Sequence, residues 1–316
     1  MPPWAFRITS TEPMRVVPQE PGAPPGRDDC VWDIGLDGAP VRGRHARLGA
    51  GSIDAILRRH AYPRPVALLL GEALILAALI GASLKQFQSL TIQAQGDGLV
   101  PLLVAQCGAG GTLRGYARLA RDSAQHLCGD AAMAPSKLLG RGALAVTLDP
   151  GQNMPQVQGI VSLEGESLSA CAEAYFQESV QTPTRLRVAL AECLVPNAPA
   201  CWRAGGVFLQ RVAGDGARGD TQDDWARAQL LLGTITDAEL TDPALPAEHL
   251  LFQVFHEEGV RLDAPIPLTD HCPCDAERLA AVLGRLSAPE IEDLRGADGQ
   301  IHAICQFCAR DYVIAL

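Results

Sequence analysis

The sequence predicts an α+β protein: a large N-terminal domain of mainly antiparallel sheets with a buried helix, a helical linker, and a small C-terminal zinc-binding domain. Three observations lead there. Short apolar runs of period two, broken by glycine turns, dominate from Val31 to Val212, with one long apolar run, Val66 to Leu84, among them. From Thr221 to His256 the period becomes helical. Near the end, four of the ten cysteines fall in two close pairs, Cys272-Pro273-Cys274 and Cys305-Gln306-Phe307-Cys308. At 316 residues the chain is long enough for a large core plus a small appended module.

Taken in order, residues 1–28 form a proline-rich tail with no apolar signal core, which reads as flexible. Residues 29–213 are the large domain. Val31 to Leu48 predicts strands joined by turns, and Ser52 is placed to cap a helix through Arg59 that Tyr62-Pro63-Arg64-Pro65 ends. The run from Val66 reads as a core helix and not a membrane span, because Glu72 lies inside it and a mid-membrane carboxylate costs roughly 3 kcal/mol. Leu90–Gln95 and Leu99–Ala105 flank a Gly96-Asp97-Gly98 turn, and three further strands follow at Leu113–Leu119, Ala143–Leu148 and Gln158–Ser162. A helix begins after Glu164-Gly165-Glu166-Ser167, and Arg185–Glu192 and Val207–Val212 read as strands. Gly214 to Gly219 marks a boundary. In the linker, residues 214–262, Trp225, Ala228, Leu232 and Ile235 form one apolar stripe, and Leu250, Leu251, Val254 and Phe255 another.

Residues 263–316 are the C-terminal module. Four thiolates in two tight pairs converge on one soft divalent ion, with zinc the default. Between the pairs, Leu279, Val282, Leu283 and Leu286 share a helical face that would serve as a miniature core, Ser287-Ala288-Pro289-Glu290 is a capping-box start for a second helix, and Asp298-Gly299 turns the chain into two strands around the second pair. Some fifty residues cannot bury enough apolar surface to fold alone, so metal has to supply stability on the order of 10 kcal/mol. The first pair is C-x-C, where a disulfide would close a very small ring and be easily reduced. Spacing alone also allows an inert zinc clip.

A formal charge of −10 argues against a nucleic-acid backbone as partner. The other six cysteines (Cys30, Cys107, Cys128, Cys171, Cys193, Cys201) lack framework spacing and read as reduced packing residues. Gly108-Ala109-Gly110-Gly111 lacks the last glycine of a dinucleotide fingerprint, and there is no P-loop, H-E-x-x-H or G-x-S-x-G, so neither nucleotide use nor enzymatic activity is expected.

The run Phe255-His256-Glu257-Glu258-Gly259-Val260-Arg261, followed by C-x-C, Glu292-Asp293, Asp298-Gly299 and C-x-x-C, resembles the heat-shock protein 33 family of redox-regulated holdase chaperones. Upstream, Tyr62-Pro63-Arg64-Pro65-Val66, Leu113-Arg114-Gly115-Tyr116-Ala117-Arg118, Gln158-Gly159-Ile160-Val161 and Trp202-Arg203-Ala204-Gly205-Gly206 are similar to that family as well. Ala309 stands where the family often has glycine, and Val180 departs from a usual glutamate. The resemblance implies a cytoplasmic, dimeric, ATP-independent holdase with one zinc per reduced chain on Cys272, Cys274, Cys305 and Cys308. It further implies that oxidation pairs Cys272 with Cys274 and Cys305 with Cys308, releases the metal, and opens a linker whose apolar surface (Trp225, Leu232, Ile235, Leu250, Phe255) serves unfolding clients. A thiol-disulfide oxidoreductase would place C-x-x-C before a long helix, and almost no chain follows Cys308. A zinc-clip module for a protein partner remains the other alternative.

Overall fold

The computed structural model describes residues 14–15, 28–82, 87–121, 127, 133–151, 154–194, 200–212, 222–296 and 298–314. Most of the tail, Cys128 and the expected boundary at Gly214–Gly219 lie outside the described residues.

Two sheets, antiparallel except where β13 joins β6, enclose one apolar helix. The first sheet contains β1 (Met14–Arg15), β2 (Cys30–Leu36), β3 (Val41–Leu48), β9 (Thr184–Cys193), β10 (Cys201–Arg211), β11 (Val260–Leu262) and β12 (Ile266–Pro267); its order is β1-β11-β2-β3-β10-β9, with β12 also on β2. The second contains β4 (Ser89–Gly96), β5 (Leu102–Gly108), β6 (Thr112–Arg118), β7 (Gly142–Asp149), β8 (Val157–Ser162) and β13 (Thr269–Asp270), in the order β13-β6-β5-β4-β7-β8. Between them runs α2 (Arg64–Gly81), whose Val66, Leu70, Leu74, Ile75, Leu76 and Leu79 are fully buried. This explains why a helix long and apolar enough for a membrane shows no polar face: both sides meet a sheet. Buried Arg44 closes its C-terminus by donating to the carbonyls of Leu79 and Ile80 at 2.7 and 3.0 Å. Glu72 is the one carboxylate inside it and accepts from Ser169 N–H and Oγ–H at the start of α4 (Leu168–Tyr175), the next helix after the short α3 (Pro135–Leu139); burial nevertheless raises its pKa.

Some local expectations are corrected. Ser52 caps no helix: a π-turn over Ala50–Asp54 precedes the short α1 (Ala55–Arg59), and the Ser52 hydroxyl bonds Asp29 instead. The strand expected from Val207 begins at Cys201, because Gly205 and Gly206 are bare where Leu240 and Leu79 approach and are not turn residues.

The outer face of the first sheet is covered by α5 (Gln222–Thr234), α6 (Asp237–Thr241) and α7 (Ala247–Phe255). Trp225, Leu232, Ile235, Leu250 and Phe255 are all buried there, in one cluster with Trp32, Ile34, Val207 and Leu209. Three sheet arginines hold the helices by backbone carbonyls: Arg187 donates to Ile235 O at 3.0 Å, Arg203 to Thr241 O at 3.0 Å, and Arg47 to the carbonyls of Asp242 and Leu245. Gly205 is bare because a Cβ there would stand 2.1 Å from Leu240 O. The helices are therefore packed as core rather than loosely tethered.

Residues 256–270 then stitch the chain into both sheets. Buried Glu258 pairs with Arg227, Gly259 turns with φ +67°, β11 and β12 pair with β2, and β13 runs parallel to β6. The sheets thus cross the borders expected at residues 213 and 262.

The C-terminal module holds α8 (Ala276–Leu283), α9 (Ala288–Leu294) with its capping box, and the hairpin β14 (Ile301–Ile304) and β15 (Asp311–Ile314). The miniature core does not form as expected: Leu279 and Leu283 are only half-buried and Leu286 is exposed, while Ile301 and Ile314 are the buried apolar residues from Cys272 onward among those described.

Candidate metal centre

The two knuckles are built by different elements. Cys272 and Cys274 sit on the extended segment leaving β13, and Cys305 and Cys308 on the turn between β14 and β15, where Ala309 N–H donates to Cys305 O at 2.8 Å. Ala309 takes φ +55°, a conformation that disfavours any Cβ; this is the physical reason glycine suits that position.

The structure brings all four sulfurs within 4.8 Å of one another. Two sulfur contacts run between knuckles, Cys274 to Cys308 at 3.2 Å and Cys272 to Cys305 at 3.8 Å. Sulfurs about 2.3 Å from a zinc ion define a tetrahedron with edges near 3.8 Å, so the donor set fits a closed four-sulfur site. His271 is exposed and stands outside the set. The sulfurs are not equivalent. Burial pushes the Cys274 thiol up, but Tyr312 Oη at 3.1 Å and the neighbouring thiols outweigh this and hold it at about 7. Burial, together with Cys274, pushes Cys308 up to about 12.

Sequence reasoning missed the residues that dock this cluster on the large body. Phe307, expected as a packing residue, is the plug. Its ring lies 4.2 Å beneath the Arg114 guanidinium and edge-on to Tyr116 at 4.8 Å, while its carbonyl accepts from Arg59 and faces His60 Nε2, both at 3.2 Å. Arg114 also donates to Cys272 Sγ at 3.6 Å, and its Nε donates to Gln106 Oε1 at 2.8 Å. Gln106 in turn donates to Thr91 Oγ1 at 2.9 Å, so a polar ladder crosses β4, β5 and β6 and ends on a sulfur. Arg59 pairs with Asp270, and His271 N–H donates to Leu113 O at 3.0 Å. The signal available was the outward polar alternation of Leu113-Arg114-Gly115-Tyr116 on a strand.

Comparison with known proteins bears on this site. The family model "Hsp33 protein" matches residues 29–315. The chain belongs to the Hsp33 family. The 33 kDa chaperonin of Caulobacter vibrioides is 45% identical over 286 residues, covering 90% of this chain and 94% of the relative. That of Pseudomonas aeruginosa is 38% identical over 281 residues, covering 88% and 89%. A crystal structure of the 33 kDa chaperonin (heat shock protein 33 homolog) of Thermotoga maritima shares the fold, with a TM-score of 0.73 at 22% identity over 92% of this chain and 95% of that one. As an Hsp33 chaperone, the chain has its four-cysteine cluster and α+β architecture in a family context, and residues 1–28 lie outside the match.

Proposed function

We propose that this Hsp33 chaperone is a redox-gated, ATP-independent holdase whose gate is the sulfur cluster. One observation carries the reading: the cluster is docked through Phe307 and β13 onto the same body whose other sheet is covered by α5 to α7. In the reduced protein Cys272, Cys274, Cys305 and Cys308 hold one zinc, which when bound supplies the module with the stability its small core lacks. A two-electron oxidant such as hydrogen peroxide takes two electrons from each deprotonated cysteine pair and two protons from solvent, leaving as two waters; Cys272–Cys274 and Cys305–Cys308 form, and sulfurs so paired no longer ligate. The module then unfolds, Phe307 leaves its seat, and the strand β13 loses the knuckle that anchors it.

Loss of that bracing frees α5 to α7. Their apolar stripe (Trp225, Leu232, Ile235, Leu250, Phe255) becomes a surface for unfolding proteins. We assign residues 29–213 to the body, 214–262 to the gate and 263–316 to the switch, with the body as the homodimerisation domain and the cytoplasm as the compartment. The deciding experiment follows zinc content, thiol count and hydrogen exchange in reduced and oxidised protein. Zinc loss, client binding without ATP and deprotection of Trp225–Phe255 should appear together. A module that loses protection while α5 to α7 keep it would sink the gate and leave an inert clip.

A further inference from the structure

Two cysteines far from the cluster meet across a strand pair. Cys193 and Cys201 are directly opposite residues of antiparallel β9 and β10. Opposite residues in such a pair project to the same face, with Cα atoms about 4.5–5.5 Å apart, inside the 4.4–6.8 Å span that a disulfide bridges. The face is the one the gate helices cover. Cys201 shares the alternation of Arg203, Gly205, Val207 and Leu209, all turned toward α5 to α7, and Cys193 Sγ donates to Thr241 O at the end of α6 at 3.7 Å. Both are free thiols, half-buried, and they lie at the end of the sheet.

We infer that Cys193 and Cys201 are a second dithiol, held apart by α6 while the gate is docked and closing to a cross-strand disulfide once it lifts. This rests on the gate proposed above. With hydrogen peroxide as oxidant, the two thiols lose two electrons and two protons, an S–S bond forms, the peroxide O–O bond breaks, and two waters leave. While α6 is seated, Cys193 is committed to the Thr241 carbonyl. Burial keeps both thiols above the ordinary range, Cys201 with help from Asp54, so little thiolate is present to attack. After closure, the sulfur that met Thr241 is tied to Cys201, and α6 has lost one of its contacts on the sheet. The bond would delay re-docking until reductant removes it.

The test uses full-length protein treated with hydrogen peroxide at raised temperature, alkylated, digested without reductant and mapped by mass spectrometry, in the wild type and in Gly205→Ala. In the latter the new Cβ displaces α6 by steric overlap, whether or not oxidation moves the gate. A Cys193–Cys201 linked peptide should appear in both, roughly tenfold faster in Gly205→Ala because the pair is open from the start. Linkage in Gly205→Ala alone would sink the gate reading and keep the dithiol. Two alkylatable thiols in both proteins after the cluster is fully oxidised would overturn the dithiol. Cys201→Ser, which removes the bond but not the fold, should restore α6 docking faster after reductant is added; recovery at the wild-type rate would also count against it.

Discussion

The body and the C-terminal module solve the same problem with unequal means. The body buries Trp32, Ile92, Leu70, Leu74 and a dozen comparable side chains completely, so its stability is the sum of many apolar contacts and no single bond decides it. From Cys272 onward the module buries Ile301 and Ile314 and leaves Ile304, Val313 and Leu294 exposed, so on the function proposed above its order hangs on four sulfurs. A structure held by packing fails gradually under substitution, whereas one held by ligation fails at once when its ligands are taken.

The largest expected effect breaks that contrast open. Chelation, or Cys305→Ser, should remove stabilisation on the order of 10 kcal/mol from the module. Its hydrogen-exchange protection should collapse while β3, β4, β5 and β10 keep theirs; joint loss would show that the body is not autonomous. Phe255→Ala, at a fully buried gate position, should cost roughly 3–5 kcal/mol by thermal unfolding and be felt in the reduced protein without any oxidant. Arg114→Gln should weaken zinc binding roughly 10- to 100-fold in chelator competition, because it removes the guanidinium beside Cys272, and Arg114→Lys should recover part of it. An unchanged affinity in Arg114→Gln would mean that the ladder across β4 to β6 ends on the sulfur by chance.

Acid tests the body alone. Burial first, and the Arg47 charge second, hold His45 at about 3 against its hydrogen bond to Gly206 O. The unfolded chain then binds the extra proton between about pH 6.5 and pH 3, so stability should fall with decreasing pH across that window by up to about 1.4 kcal/mol per unit. His45→Gln should flatten the slope in chemical denaturation; an equal slope in the variant would place the acid sensitivity elsewhere. The smallest effect is local to the module: Ala309→Gly relieves a left-handed Cβ and should raise the melting temperature of zinc-loaded module contacts by an amount equivalent to about 1 kcal/mol.

What could be read from the sequence followed distance along the chain. The cysteine quartet, the capping box at Ser287 and the β14–β15 hairpin are local patterns, and the structure brings them together as their spacing suggested. Arg59, His60, Arg114 and Tyr116 could not be found that way, since only the parallel seating of β13 on β6 carries residue 272 to residue 114. Arg47, Arg187 and Arg203 look like solvent-facing positions of alternating strands, and nothing local says that helices some 35 to 200 residues later will cover them and offer carbonyls. The half-buried stripe on α8 shows the reverse error: a good periodic pattern needs a partner surface, and a module this small has little to offer.

The strands β11, β12 and β13 enter the two sheets by adding at β2 and β6, the way a foreign peptide extends a sheet from outside. Being covalently attached, they sit at those edges with an effective concentration in the millimolar range. Those edges are thus already filled by strands of the same chain. An extended segment from another chain can occupy those edges only while it outcompetes a resident that never diffuses away, and the resident returns as soon as the visitor shortens, folds or is withdrawn.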